Sequence, residues 1–348
     1  MIALRFVGGV VAIVLLLGAT FRHRQRTISR LTLIISWVLA TAILLLAIAP
    51  GLFNPIFRIF NFREGTGQRL IGVLLFAVLL IFVLLSNVIS RTDEAARSIR
   101  ILVEALAIQA FDRSQLESLA PGPRILVVMP AHNEAANVAA VVHDMPDEFD
   151  GYPVVALVVD DASEDETSSS ARAAGALVAR LPIRRGGGLA LRVGYELALQ
   201  LDAAVVVTMD ADGQHDPEEM PLLVKPILGD DADMVNGSRV LGEFERESVI
   251  RHIGVHFFSW LVTLLTGSRV TDVSNGYRAT RAETLRRLVL DQDQFWTSEL
   301  LIEGMRHRLR IREVPITVRA RASGTSKKPK TVKYAWKFTK AIFRTWLR

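Results

Sequence analysis

The chain has no cysteine among its 348 residues. This absence excludes a disulfide framework and a zinc site built on thiolates. The chain also has no Gly-Lys-Ser/Thr sequence, so a Walker loop is excluded. A net charge of +5 could suggest a nucleic-acid partner, but basic residues beside long apolar segments more often face anionic lipid. We therefore expect a membrane partner and no nucleic acid.

Long apolar runs are confined to the first 90 residues. Hydrophobic residues make up 50% of the chain, and its mean hydropathy is +0.31. Three runs, at 2–21, 31–49 and 70–89, approach the roughly 20 residues that cross a bilayer. They predict an all-α transmembrane module over 1–90, in preference to a cleaved signal peptide. Four arginines in 22–30 place that connection inside. The sequence thus predicts a multi-pass membrane protein whose later residues are cytoplasmic.

Three further segments follow this module. Residues 91–120 carry apolar side chains at helical spacing and predict an amphipathic connector. Pro121-Gly122-Pro123 marks a domain boundary, so we expect one domain over 121–330. Residues 331–348 place basic side chains on one helical stripe and aromatic ones on the rest, which predicts a helix in the membrane interface. A C-terminal helix docked on the domain is the alternative.

The domain over 121–330 alternates apolar strands with helices. The pattern predicts strands at 125–129, 154–159, 177–181 and 204–209, with helices at 135–143, 166–174 and 189–201. Such alternation is typical of an α/β fold of Rossmann-like kind, with a mostly parallel sheet and helices on both faces. Ligands of these sheets bind at the carboxyl ends of the strands. We therefore expect the polar groups that follow the strands to gather along one edge.

An acidic cluster follows the strand at 204–209. Asp210 and Asp212 stand at i and i+2 with Gln214 at i+4, and residues two apart on a strand share a face. Their oxygens suit Mg²⁺ or Mn²⁺, which keep coordination places for substrate phosphates. The sequence thus predicts a metal site that holds a diphosphate. The alternative is an acidic, solvated turn after a strand.

Three segments together carry a family resemblance. They read VMPAHNE at 128–134, VDDASEDET at 159–167 and MDADGQH at 209–215. In order, spacing and strand placement they resemble glycosyltransferase family 2, and within it the polyprenyl-phosphate sugar synthases of the dolichol-phosphate mannose synthase kind. The resemblance covers about 124–328. It implies a GT-A fold that binds a nucleotide sugar, with Pro130 and Glu134 beside the nucleoside and Asp161 at the base.

The Gly-rich segment RRGGGLALRVG at 184–194 departs from the family pattern. The family has an Asn and a Gly-Lys-Gly before a helix, whereas here Arg184 stands at the Asn and Gly187 at the Lys. The missing lysine leaves the diphosphate contact open, and either Arg184 or Arg185 could replace its charge. The resemblance also implies that Glu299 binds sugar hydroxyls.

Further basic residues match family positions. The resemblance implies that Arg239 and Arg251 bind the phosphate of a lipid acceptor, and with Asp212 they are the expected catalytic residues. A loop at 321–327 matches one that closes over the donor, so Arg321 and Lys327 are expected to neutralise the departing diphosphate.

The resemblance implies transfer of a single sugar from a nucleotide diphosphate sugar, of the GDP-mannose or UDP-glucose type, to polyprenyl phosphate with inversion. The chain has no Gln-x-x-Arg-Trp sequence, which argues against the processive polysaccharide synthases. Two alternatives stay open at this point. One is a family 2 glycosyltransferase with a glycan or protein acceptor, and the other is an inactive, nucleotide-binding membrane scaffold.

Overall fold

The structure is a computed structural model, and it describes residues 2–24, 30–49, 68–117, 119–244, 249–319 and 332–348. The chain divides into two compact units, Met1–Ala95 and Ala96–Arg348. Helices and strands are numbered below in chain order through the described residues.

The first unit is helical. Helix α1 (Ile2–Arg24) packs against α2 (Arg30–Ile48). Alanine at positions 12 and 40 is fully buried, and the Trp37 indole donates a hydrogen bond to Thr20 Oγ1 at 3.2 Å. Helix α3 (Gln68–Gln109) runs on for 42 residues. The third apolar run and the part of the predicted connector up to Gln109 therefore belong to one helix, because no glycine or proline interrupts the chain between residues 73 and 109.

The prediction of a multi-pass membrane protein is wrong for the part of the chain that the structure describes. A membrane span requires about 20 predominantly apolar residues in one helix. Among the residues that the structure describes, no helix has both the length and the apolarity to cross a membrane. The predicted cytoplasmic placement depended on those spans and loses its basis with them.

The second unit is built on one twisted sheet. Its strands are β1 (Arg124–Ala131), β2 (Glu148–Phe149), β3 (Tyr152–Asp160), β4 (Leu177–Arg180), β5 (Ala203–Thr208), β6 (Met234–Phe244), β7 (Arg278–Arg281) and β8 (Ile311–Val318). Pairing gives the order β4-β3-β1-β5-β7-β6-β8, with β2 joined to β3 as a short hairpin. All the main strands run parallel except β7, which is antiparallel to both its neighbours.

Helices cover both faces of this sheet. They are α4 (Val138–His143), α5 (Thr167–Ala173), α6 (Gly187–Gln200), α7 (Met220–Leu228), α8 (Val249–Thr266), α9 (Ala282–Leu285), α10 (Trp296–Arg306) and α11 (Val332–Trp346). Neighbouring strand residues point to opposite faces, so β1 contributes Leu126 and Val128 to one apolar layer and Ile125 and Val127 to the other. The first layer packs against α6, α8, α10 and α11, and the second against α4, α5 and α7.

The α/β prediction with a mostly parallel sheet is confirmed. Each of the four predicted strands is present to within two residues at either end. Strand β7 was not predicted, because four residues reading RATR carry no apolar periodicity.

The C-terminal helix α11 is docked on the domain, as the alternative interpretation had it. The Phe338 ring lies 4.3 Å from Phe258 of α8, measured between centroids. Ile342 is fully buried. The basic residues Lys337 and Lys340 are exposed on the other side of the helix. Part of the apolar face predicted to enter a membrane interface is thus covered by the domain itself.

Candidate active site

The carboxyl ends of three adjacent strands meet at one edge of the sheet. Strand β1 lies between β3 and β5 and is parallel to both. In this arrangement the chain segments after Ala131, Asp160 and Thr208 leave the sheet side by side. Because β7 is antiparallel, its amino end reaches the same edge, and the loop before it joins the cluster. The expected gathering of polar groups along one edge is therefore present.

The Asp161 carboxylate holds the Gly-rich turn. Its Oδ1 accepts from the backbone N–H of Arg185 at 2.7 Å, and its Oδ2 accepts from that of Gly186 at 2.8 Å. Burial raises the pKa of Asp161, while these two hydrogen bonds oppose the rise. Asp161 was expected at the nucleotide base. In the structure it fixes the turn that opens α6, so any contact with a base would use its remaining lone pairs.

Glu134 lies in the loop after β1, which is hydrogen-bonded to the segment after β3. Its Oε2 accepts from Asn137 Nδ2 at 2.8 Å, and its backbone N–H donates to Thr167 Oγ1 at 2.9 Å. The side chain is 8% exposed. Pro130 is the penultimate residue of β1 and lies beside the Gly-rich turn, where a Cβ on Gly187 would lie 3.9 Å from the Pro130 Cβ. Pro130, Glu134 and Asp161 thus lie together at the carboxyl edge.

The acidic loop after β5 is held by a histidine. His215 Nδ1 accepts from the Asp210 backbone N–H at 3.3 Å, and its Nε2 lies 3.0 Å from Asn275 Oδ1. One nitrogen accepts and the other faces an oxygen, so we assign the neutral ring with its proton on Nε2. Asn275 in turn donates to the Gly237 carbonyl at 2.7 Å. His215 therefore ties the acidic loop to the segment before β7.

Asp210 and Asp212 lie in this loop with different exposure. Asp212 is 4% exposed, and its Oδ1 accepts from the Gln214 backbone N–H at 3.2 Å. Asp210 is partly exposed and faces Gly276, whose added Cβ would lie 3.1 Å from Asp210 Oδ1. The Gln214 side chain donates through Nε2 to the Arg319 carbonyl at 3.1 Å.

The acidic loop offers oxygen ligands for a metal ion. Within the described ranges, no group of three or more His, Asp or Glu side chains is placed to hold a metal by itself. The pair Asp210 and Asp212 offers hard carboxylate oxygens of the type that Mg²⁺ and Mn²⁺ take, with the other coordination places left for water and phosphate. The donor set therefore fits an ion that is completed by a bound diphosphate.

Arg239 is engaged in a buried ion pair. Its Nε donates to Asp272 Oδ2 at 2.7 Å and its Nη2 to Asp272 Oδ1 at 2.9 Å, a bidentate arrangement. The same Nη2 also donates to Ser274 Oγ at 2.6 Å. Burial would raise the pKa of Asp272, but the Arg239 charge and hydrogen bonds hold it below its ordinary value. The guanidinium fork expected to meet an acceptor phosphate is thus directed at a carboxylate of the protein.

Three other basic residues belong to the predicted site. Arg251 lies in the first turn of α8. Arg321 and Lys327 fall outside the described residues. Their expected roles stay predictions.

The expected sugar contact of Glu299 is not what the structure shows. Glu299 is fully buried, and its Oε1 and Oε2 accept from the backbone N–H groups of Asp291 and Gln292 at 2.8 and 2.9 Å. Arg348 Nη2 also donates to Oε1 at 2.6 Å. Both oxygens are thus used within the protein, since Glu299 points beneath the loop at 291–293 and anchors it. We correct its role from sugar ligand to loop anchor.

Sequence reasoning also missed two residues of this region. Arg278 is fully buried at the start of β7, where its Nε donates to Asn236 Oδ1 at 2.6 Å and its Nη2 to the Val273 carbonyl at 3.2 Å. Burial lowers the pKa of Arg278 to about 10. Asp293 contacts the Gly-rich turn, and it stands outside the family motifs. An acidic residue beside several distant arginines gives no signal along the chain, because only the fold brings them together.

The architecture matches solved glycosyltransferase structures. One is glucosyl-3-phosphoglycerate synthase from Mycobacterium tuberculosis, in complex with Mn²⁺, uridine diphosphate and phosphoglyceric acid. It is 25% identical, with a TM-score of 0.52, and the match covers 68% of this chain and 82% of that one. The fold is thus an α/β fold of the GT-A kind.

Residues 126–292 match the family model described as glycosyl transferase family 2. Undecaprenyl-phosphate mannosyltransferase of Micrococcus luteus is 34% identical over 215 residues, which cover 59% of this chain and 87% of that protein. Dolichyl-phosphate hexose transferase of Haloferax volcanii is 32% identical over 205 residues, which cover 59% and 87%. The chain belongs to glycosyltransferase family 2, and the resemblance seen in its motifs is confirmed.

Proposed function

We propose that the protein transfers one sugar, with inversion, from a nucleotide diphosphate sugar to polyprenyl phosphate. The observation that carries this proposal is the meeting of the acidic loop, the Glu134 loop and the Gly-rich turn at one edge of the sheet. A nucleoside diphosphate needs these three kinds of group together. The acidic loop would meet its charge, the loop around Glu134 its nucleoside, and the Gly-rich turn its phosphates. Relatives named for undecaprenyl-phosphate and dolichyl-phosphate acceptors support the acceptor class.

The donor is proposed to be of the GDP-mannose or UDP-glucose type. Pro130, Glu134 and Asp161 would orient the nucleoside. Asp210 and Asp212, with Gln214 as a further candidate ligand, would hold Mg²⁺ or Mn²⁺. The ion would supply positive charge to the diphosphate. His215 and Asn275 keep the acidic loop in place, so the two carboxylates need no rearrangement when the donor binds.

The acceptor supplies its own nucleophile. A phosphate monoester has a second pKa of about 6, so its oxygen is largely ionised at pH 7 and requires no strong general base. The residues of the site then act by alignment and by charge. Attack opposite the departing diphosphate inverts the anomeric centre. Arg251 is proposed to hold the acceptor phosphate, and Arg321 and Lys327 to neutralise the diphosphate as it leaves.

The test uses the full chain in detergent with polyprenyl phosphate, Mg²⁺ or Mn²⁺, and a panel of radiolabelled nucleotide sugars. We expect label in the lipid extract from one nucleotide type. Asp212→Asn should lower the rate about 10²-fold or more, because one electrostatic contact in a transition state is commonly worth that much. Asp216→Asn is the matched control, since this carboxylate lies in the same loop but pairs with Arg319.

Two results would contradict the proposal. The acceptor is wrong if label passes to phosphoglyceric acid, a glycan or a peptide and not to the lipid. The enzyme itself is in doubt if the protein binds nucleotide with no transfer to any acceptor, which is the behaviour of an inactive scaffold. Unchanged activity in Asp212→Asn would remove the acidic loop from the mechanism.

A further inference from the structure

One carboxylate beside the Gly-rich turn is shared by three arginines. Asp293 Oδ2 accepts from Arg185 Nη2 at 3.1 Å, and Oδ1 accepts from Arg192 Nη2 at 3.0 Å. Arg100 Nη1 lies 3.9 Å from the same Oδ1. The four side chains are only 11–25% exposed, so these charges are weakly screened by solvent.

Asp293 is fixed in place by the backbone around it. The Gly188 N–H donates to the Asp293 carbonyl at 2.9 Å. A Cβ on Gly188 would lie 2.0 Å from the Gln292 carbonyl oxygen, so the two segments are in direct contact. From beneath, Glu299 binds the N–H groups of residues 291 and 292. The backbone that carries this carboxylate is therefore held on two sides, by Gly188 and by Glu299.

Arg185 differs from the other two arginines in its partners. Arg192 also lies 3.6 Å from Glu104 Oε2 and donates to the Gln292 carbonyl at 3.3 Å. Arg100 also donates to the Asp291 carbonyl. Arg185 has Asp293 as its partner, and its buried Nε has no hydrogen-bond acceptor among the described residues.

The Arg185 guanidinium keeps one donor unmet beside this loop. Its Nε–H is buried and has no acceptor among the described residues, while its Nη2 donates to a carboxylate that two other arginines also approach. A buried donor without an acceptor is unfavourable, and an anion that accepts from it removes that penalty. Arg185 also lies on the turn whose N–H is bound by Asp161. The unmet donor is thus located beside the proposed nucleotide site.

We propose that Arg185 binds a phosphate of the nucleotide diphosphate and that Asp293 competes with the ligand for it. The inference rests on the proposed function, and it goes further by choosing Arg185 over Arg184 and by assigning a role to Asp293. A guanidinium meets phosphate bidentately, so the phosphate engages donors that Asp293 leaves unmet. Arg192 and Arg100 keep Asp293 neutralised when Arg185 turns away. Competition of this kind weakens nucleotide binding and speeds release of the nucleotide product.

The test is calorimetric titration of the full chain with UDP, GDP and inorganic pyrophosphate, each with and without Mg²⁺. We expect Arg185→Gln to weaken binding of the nucleotide roughly 10- to 100-fold, the usual effect of losing a charge-assisted hydrogen bond. Asp293→Asn should strengthen binding several-fold, and the double variant should bind like Arg185→Gln. Arg184→Gln is the matched control, since this neighbouring side chain is exposed, and it should change binding little.

Thermal melts of each variant distinguish a loss of binding from a loss of folding. The variant Arg185→Lys tests whether the guanidinium shape matters as well as its charge. The lysine variant keeps the charge without the fork, so we expect binding between that of the wild type and that of Arg185→Gln. The inference is overturned if Asp293→Asn weakens binding, because Asp293 would then position Arg185. It is also overturned if Arg184→Gln carries the loss, or if no probe binds the wild type, an outcome that defeats the proposed function too. If the variants change nucleotide binding as expected but the wild type transfers no sugar, only the proposed function is contradicted.

Discussion

The ion pair between Arg239 and Asp272 allows a sharp test of structural against catalytic roles. Asp272 is 0% exposed and the Arg239 side chain 11%. Removal of one partner from a buried pair costs ~3–5 kcal/mol. In Arg239→Gln, Asp272 still accepts hydrogen bonds from two backbone N–H groups, those of residues 239 and 274. We therefore expect the free energy of unfolding to fall by about 3 kcal/mol, the lower end of that range. For a unit of this size that corresponds to a fall in Tm of about 6–12 °C.

The stability difference between Arg239→Gln and the wild type should depend on pH in a defined direction. In the wild type the pKa of Asp272 is lowered, so the pair stabilises the fold above the ordinary carboxyl pKa and loses that contribution as pH falls through the lowered value. In Arg239→Gln the arginine charge no longer opposes burial, so we expect the pKa of Asp272 to rise above its wild-type value although the two backbone N–H groups remain. The variant then relieves its buried charge by protonation as the solution is acidified. We expect the difference in Tm between the two proteins to narrow from pH 7 to pH ~4.

The assay is a series of thermal melts at pH 7, 5 and 4, together with KM for polyprenyl phosphate. Arg319→Gln serves as control, because Arg319 is 60% exposed in its pair with Asp216 and such pairs contribute at most about 1 kcal/mol. The reasoning is refuted if Arg239→Gln melts like the wild type while KM for the lipid rises. That result would return Arg239 to the acceptor phosphate.

Two more predictions concern the loop at 291–293. Gly188→Ala should lower Tm and weaken UDP or GDP binding in titrations, because its Cβ would lie 2.0 Å from the Gln292 carbonyl oxygen. Gly187→Ala should be tolerated, since the closest contact of its Cβ is the Trp296 side chain at 3.3 Å. Equal effects of both alanines would contradict this packing argument. Glu299→Gln should lower Tm, because one oxygen becomes a donor facing a backbone N–H, yet leave the ranking of donor sugars unchanged in the transfer assay. A changed ranking would show that Glu299 contacts the sugar.

The parts of the fold that repeat along the chain could be predicted from the sequence. Strands such as 154–159 are continuous apolar runs because both faces of a parallel sheet are covered. The loops after them carry polar residues that must lie at one edge. This logic located Asp161, Asp210 and Asp212 correctly at the carboxyl edge. It needed no knowledge of individual contacts.

The partners of each side chain could not be predicted in the same way. Arg239 and Glu299 were assigned to ligands because their positions match family motifs. In the structure Arg239 meets Asp272, 33 residues later, and Glu299 meets the backbone of 291 and 292. A buried charge takes the nearest group of opposite charge or a set of N–H donors, and only tertiary packing decides which groups are near. For the same reason the cluster around Asp293 gave no signal in the sequence.

The position of β7 has a consequence for how the chain is made. Strands β5 and β6 follow each other in sequence, yet they are joined in the sheet only through β7, which comes 34 residues after β6 ends. Until residues 278–281 leave the ribosome, the edges of β5 and β6 that pair with β7 have unpaired backbone N–H and C=O groups. Exposed strand edges template pairing with other chains. A nascent or truncated chain that ends before Arg278 should therefore aggregate, and a fragment that includes β8 should be recovered in soluble form.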